Sequence, residues 1–189
     1  MSRPALGARL AGFALLALVA AVAILDGVRG ATRFHELGPL APGREVPAFR
    51  VALVDGGAFV NADLVGRVHV VTFWATWCPY CRDELDELDP MAEAYPESEV
   101  RIVAVNREGG GVSPAQAAEM SRRYRDAKAL SFPIAVDDGR MAHAFGVGPI
   151  PHTAIFDRSG KLRRVHQGRV SGETIAREVD ELRAEPAGP

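Results

Sequence analysis

"FWATWCPYC", residues 73–81, holds both cysteines of this 189-residue chain, with Pro79 and Tyr80 between them. The run leading into it, "RVHVVTFW" at 67–74, is nearly unbroken β-branched and aromatic sequence, the pattern of a strand buried on both faces. Beyond Cys78 the period changes. Leu85, Leu88, Met91, Ala92 and Tyr95 recur at steps of three and four with acids between them, which predicts a helix from about residue 79 to 95. Pro79 suits its first turn, where a missing N–H costs nothing, whereas Pro90 is expected to kink or divide it. Cys78 therefore falls just past the end of a buried strand, at the mouth of a helix, and Cys81 lies one turn in.

Three uses compete for such a pair. A structural zinc site wants four protein ligands, yet there is no second cysteine pair, and the five histidines (35, 69, 143, 152, 166) are scattered without paired spacing. A staple closing so short a loop constrains the unfolded chain by only about 2 kcal/mol on the loop-entropy formula. A redox centre fits the position better. Unpaired N–H groups and the dipole at a helix N-terminus favour negative charge, and thiols in such motifs titrate at roughly 3.5–7.5 instead of about 8.5. In that reading Cys78 is the accessible nucleophile, and Cys81, facing inward, resolves the mixed disulfide.

The flanking sequence supplies a frame for one such domain. "FRVALVDGGAFV" carries two short β-type runs around Asp55-Gly56-Gly57, a hairpin signal, and "VRIVAVN" (100–106) is a second buried strand. Ser113-Pro114-Ala115-Gln116 opens a helix with a capping box and proline at its first position. "FPIAVD" reads as a short strand, "GRMAHAFGV" as a short helix, "HTAIFD" and "LRRVHQG" as strands joined by a glycine turn, and residues 171–184 as a closing helix. No repeat and no phosphate-binding glycine fingerprint appears; "GGG" at 109–111 lacks the lysine of a P-loop.

Hydrophobic content of 48% and charged content of 24% are ordinary for a globular chain, and a net charge of −2 gives nucleic acid no electrostatic purchase. Leu10–Leu25 is a charge-free apolar run behind Arg3 and Arg9. Extended to residue 28 it reaches the length of a membrane span. The expected organisation is a short cytoplasmic N-terminus (1–9), a transmembrane signal-anchor helix (10–28), a linker (29–45), one α/β domain (46–185) and a flexible tail (186–189). The alternative is a signal peptide cleaved to leave a secreted domain.

The segments "REVPAF", "VVTFWATWCPYCRDEL", "VRIVAVN" and "AFGVGPIPHTAIFDRSGKLRRVHQG" resemble the thioredoxin-fold, membrane-anchored TlpA/ResA/CcmG (DsbE) type of thiol–disulfide oxidoreductase. The resemblance implies a thioredoxin-like fold: a central mixed sheet flanked by helices, with an added N-terminal hairpin. It further implies a redox-active Cys78–Cys81 disulfide needing no other cofactor and no metal. Ile150-Pro151 matches the cis-proline that lies against the disulfide and binds substrate, and Trp77 belongs to the docking surface. Trp74 is expected to pack beneath the site. Glu84 matches an acidic residue placed beside the cysteines in the ResA group; a carboxylate there raises a thiol pKa or carries a proton.

Four positions depart from the pattern or tune it. Thr72 stands where thioredoxin itself keeps a buried aspartate. Pro79-Tyr80 sets thiolate stability in its own way. His152 is a candidate redox-tuning residue if it faces the disulfide. The implied clients are envelope proteins with cysteine pairs, such as apocytochrome c or a copper-site protein of cytochrome oxidase. An upstream membrane thiol reductant is implied too, with the domain held by its anchor on the periplasmic side of a bacterial inner membrane. Competing functions are a Cu(I) metallochaperone using Cys78 and Cys81, alone or with His152, and a thiol peroxidase, whose Pro-x-x-x-Thr-x-x-Cys frame Thr76 and Cys78 do not form.

Overall fold

Every side chain of Val68–Trp74 is buried, which places this strand inside a sheet covered on both faces. The computed structural model describes residues 20–22, 42 and 46–186. Between residues 46 and 186 the strands are β1 (Arg50–Leu53), β2 (Ala58–Val60), β3 (Val68–Trp74), β4 (Val100–Asn106), β5 (Ile134–Val136), β6 (His152–Phe156) and β7 (Leu162–Gln167). The helices there are α1 (Pro79–Ala94), α2 (Pro114–Lys128), α3 (Arg140–Ala144) and α4 (Gly172–Ala184), with a 3-10 turn at Asn61–Leu64.

The strands form one mixed sheet in the order β2-β1-β5-β4-β3-β6-β7. β3, β4 and β5 are parallel neighbours, so the chain must cross over between them, and α1 and α2 are those crossovers. β6 pairs antiparallel with β3, and β7 antiparallel with β6. At the other edge β1 pairs antiparallel with both β2 and β5.

Alternation along β3 divides the core into two layers. Val68, Val70 and Trp74 pack with Leu85 and Leu88 of α1 and with Ile175, Val179 and Leu182 of α4. Val71 and Phe73 point the other way, into Phe49, Phe59, Phe145 and Phe156. The buried stripe of α1 is Cys81, Glu84, Leu85, Leu88 and Met91, a helical period that includes one carboxyl group. Pro90 does not divide this helix, against expectation: α1 runs unbroken through it to Ala94. The proline forfeits one backbone bond to the preceding turn, but Leu88 and Met91 on either side are anchored in the core. Ser113 and Gln116 do form the expected capping box, each side chain accepting the other's backbone N–H at 3.0–3.3 Å.

Helices α1 and α4 meet at Gly172, whose N–H donates to Glu87 Oε2 at 2.6 Å. A Cβ there would stand 3.0 Å from the Glu87 carbonyl oxygen and 3.1 Å from its Cβ. Relief requires the two helices to part. Gly172→Ala is therefore expected to cost about 1–3 kcal/mol of stability, read as a lower urea midpoint; an unchanged midpoint would contradict this close packing.

Apart from residues 20–22 and 42, the expected anchor (10–28) and linker (29–45) lie outside the described residues, as does the tail beyond residue 186. Among the described residues no helix is long and apolar enough to cross a membrane.

Candidate active site

Cys78 is the N-cap of α1, and Pro79 follows at the first helical position. Cys78 and Cys81 are joined by a disulfide. The Cys81 N–H donates to Cys78 Sγ at 3.2 Å, so a backbone donor of the helix terminus is already aimed at the sulfur that bears charge on reduction. Cys78 is less open than the sequence suggests, with 4% of its surface exposed against 1% for Cys81. Neighbouring groups close over it: the Ile150 carbonyl oxygen lies 3.9 Å from its sulfur. The Ile150–Pro151 peptide bond is cis. Trp77 and Tyr80, by contrast, stand out from the surface, 63% and 65% exposed. Trp74 is fully buried beneath the motif, against Tyr124 at 5.0 Å between ring centroids.

Glu84 is completely buried. Its Oε1 accepts from the hydroxyls of Thr153 at 2.6 Å and Thr72 at 3.0 Å, and its Oε2 accepts the Val170 N–H at 3.1 Å. The two hydroxyls also lie 2.9 Å from each other. Thr72 and Thr153 are directly paired across β3 and β6, which brings them to one face of the sheet under α1. Burial pushes the Glu84 carboxyl above its ordinary value, and the bonds from Thr153, Val170 and Thr72 pull it back only in part. A protonatable carboxyl thus sits one helical turn beyond Cys81. No bond joins it to either sulfur among the described residues.

His152 does not face the disulfide. It pairs with Phe73 across the β3–β6 ladder, and the two rings meet edge to face at 6.0 Å in the core layer away from α1. The period of two decides this: Thr153 takes the α1 face, so His152 takes the other. It is fully buried, and neither ring nitrogen has a partner among the described residues. Burial lowers its pKa. A neutral imidazole behind the sheet neither stabilises a Cys78 thiolate nor ligates a metal with the two sulfurs. Among the described residues no group of three or more His, Cys, Asp or Glu side chains gathers where it could hold a metal ion.

The sequence reading missed the partners of the motif's first half. Glu108, 7% exposed, accepts the Thr76 N–H at 3.2 Å, the Thr76 hydroxyl and the Asn106 side-chain amide at 2.9 Å. Its carbonyl accepts the Trp77 indole N–H at 2.8 Å. Thr76 is thereby turned toward Glu108. One signal was present: Asn106 ends a buried strand in register with Trp74, at the carboxyl edge of the parallel strands, where open α/β sheets place their working groups.

A family model described as AhpC/TSA matches residues 42–165, about two thirds of the chain. The chain belongs to the AhpC/TSA family. It is similar to the thiol–disulfide oxidoreductase ResA of Geobacillus thermodenitrificans, 28% identical over 151 residues that cover 79% of this chain and 83% of the relative. The solved structure of MTB DsbF, in its mixed oxidised and reduced forms, superposes with a TM-score of 0.62 at 29% identity, covering 73% of this chain and 99% of that one. A thiol:disulfide interchange protein DsbE from Chlorobium tepidum superposes with a TM-score of 0.67 over 77% of this chain and 99% of its own, and at 24% identity speaks for the fold. The expected thioredoxin-like α/β fold and the resemblance to ResA and DsbE are thus both met in this AhpC/TSA member.

Proposed function

We propose that the chain is a thiol–disulfide oxidoreductase of the ResA type that reduces disulfides of envelope proteins through Cys78 and Cys81. The observation that carries the reading is a disulfide at a helix N-cap with its first sulfur 3.9 Å from the carbonyl of Ile150, which precedes a cis-proline. In the reduced enzyme the Cys78 thiolate attacks a client disulfide, forming Cys78–S–S–client and releasing the client's other sulfur as a thiolate. Cys81 then attacks Cys78 sulfur and expels the second client thiolate. Two electrons pass to the client, and the Cys78–Cys81 disulfide remains. Ile150, Pro151 and Trp77 bind the client, Pro79 and Tyr80 set the poise, and Glu84 takes up the Cys81 proton in the second step.

The apolar segment at 10–28 supports a single-pass anchor with the domain on the periplasmic side, the cleaved form being the alternative. Such a placement suits apocytochrome c or a copper-site protein as client and a membrane thiol reductant as electron source. Cys81→Ser tests the reading. Exported to the periplasm, this variant is expected to accumulate mixed disulfides with client proteins that dissolve on adding dithiothreitol. If none forms while Cys78 remains reactive to a thiol reagent, the proposal fails.

A further inference from the structure

Two adjacent residues leaving β4 reach toward opposite walls of the exchange site. Glu108 holds the wall that carries Cys78, through the Thr76 N–H and hydroxyl and, by its carbonyl, the Trp77 indole. Arg107 holds the wall that carries Ile150–Pro151: its guanidinium donates to the carbonyls of Val147 and Gly148, each at 3.1 Å. The Arg107 N–H is itself fixed to the Trp74 carbonyl at 2.8 Å, so the bracket is rooted at the end of β3.

We propose that Arg107 and Glu108 are positioning residues that set the width of the cleft in which a client strand meets Cys78 and the backbone before Pro151 together. The inference rests on the Cys78–Cys81 pair being the exchange centre. A peptide must satisfy both walls at once, and an ångström of misplacement at such a site can cost on the order of 10²-fold. A small dithiol needs only the sulfur. Loosening either wall therefore weakens peptide capture and leaves the intrinsic reactivity of the disulfide in place.

The test uses the full chain and two probes: a synthetic peptide with one intramolecular disulfide, reduced under steady-state recycling, and dithiothreitol reducing the Cys78–Cys81 disulfide directly. Arg107→Ala and Glu108→Ala, each losing the two side-chain hydrogen bonds that tie it to its wall, are each expected to raise the peptide KM about tenfold. The dithiothreitol rate constant is expected to stay within about twofold. Because both ties set one gap, the double variant is expected to exceed the worse single by no more than about twofold in KM.

Glu108→Gln separates geometry from charge. With its oxygen in the place of Oε2 the glutamine still accepts the Thr76 N–H and the Asn106 amide, and its NH2 donates to the Thr76 hydroxyl oxygen. KM is then expected within about threefold of wild type. Arg107→Lys and Glu108→Gln also serve if the alanine variants do not fold. Both bonds leave one guanidinium nitrogen, Nη1, and the lysine side chain ends one bond short of it, so Arg107→Lys is expected to raise KM while sparing the dithiothreitol rate.

The proposal is overturned by unchanged KM in both single variants, by KM effects that multiply in the double, by Glu108→Gln behaving like Glu108→Ala, or by the two probes failing in parallel. Where only the milder pair folds, an unchanged KM for Arg107→Lys overturns it. A wild-type chain that dithiothreitol reduces but that turns over no peptide disulfide would instead remove the exchange reading beneath it.

Discussion

Cys78→Ala is expected to bring the reduction of a peptide disulfide down to the rate of buffer and dithiol alone. The sulfur that caps α1 is the one the helix terminus prepares for charge, since the Cys81 N–H already points at it from 3.2 Å. Cys81 has the reverse character: it is 1% exposed, faces the layer of Leu85 and Leu88, and has no route to an outside disulfide. The two single variants are thus expected to fail differently. Cys78→Ala forms no mixed disulfide at all, whereas Cys81→Ser forms one and cannot release it. Following the release of client thiol together with the mass of the protein distinguishes the two. Exchange that persists in Cys78→Ala would end the assignment of the nucleophile.

Glu84→Gln is expected to slow exchange on the order of 10²-fold, the lower end of what a positioned acid–base group supplies, while leaving the fold intact. The amide fits the site: its oxygen can accept from Val170 N–H and its NH2 can donate to the hydroxyl oxygens of Thr72 and Thr153. Stability should also move with pH, because the buried carboxyl titrates differently in the folded and unfolded chains. The folded carboxyl titrates above the ordinary value of 4.5, chiefly because it is buried. Below that value folded and unfolded chains both hold the proton, and the contribution of the protonated carboxyl is fully present. As pH rises the unfolded chain gives up its proton first, and this contribution is lost until the folded group has titrated too. Wild type should therefore lose stability relative to Glu84→Gln as pH is raised from 4.5 through the folded pKa. Urea midpoints of both proteins across that range check this. A difference between them that does not vary with pH would remove the titrating role, and an unchanged exchange rate would remove the catalytic one.

The parts of this site that sequence could supply are those set by short spacing. Cys78 at a strand–helix junction follows from residues a few positions apart, and the resemblance to the ResA type added Glu84 and Ile150-Pro151 on short motifs. What it could not supply was partnership across the fold. Thr153 meets Glu84 only because β6 pairs with β3 in one register; a slip by one residue would have put His152 there. Glu108 reaches Thr76 across 32 positions of chain, and no local pattern announces that. Pro90 failed as a breaker for the same reason: tertiary packing on either side outweighed a local rule. Glu87, one of the acids between the apolar positions of α1, holds Arg169 and the start of α4.

The bond from Val170 N–H to Glu84 has a use in solution. It makes one backbone amide an internal indicator for a carboxyl group that no solvent-borne reagent reaches. In a 15N-resolved spectrum the Val170 resonance should move with the ionisation of Glu84, 86 positions away in the chain, and so should display the proton of the buried acid separately in the disulfide and dithiol forms.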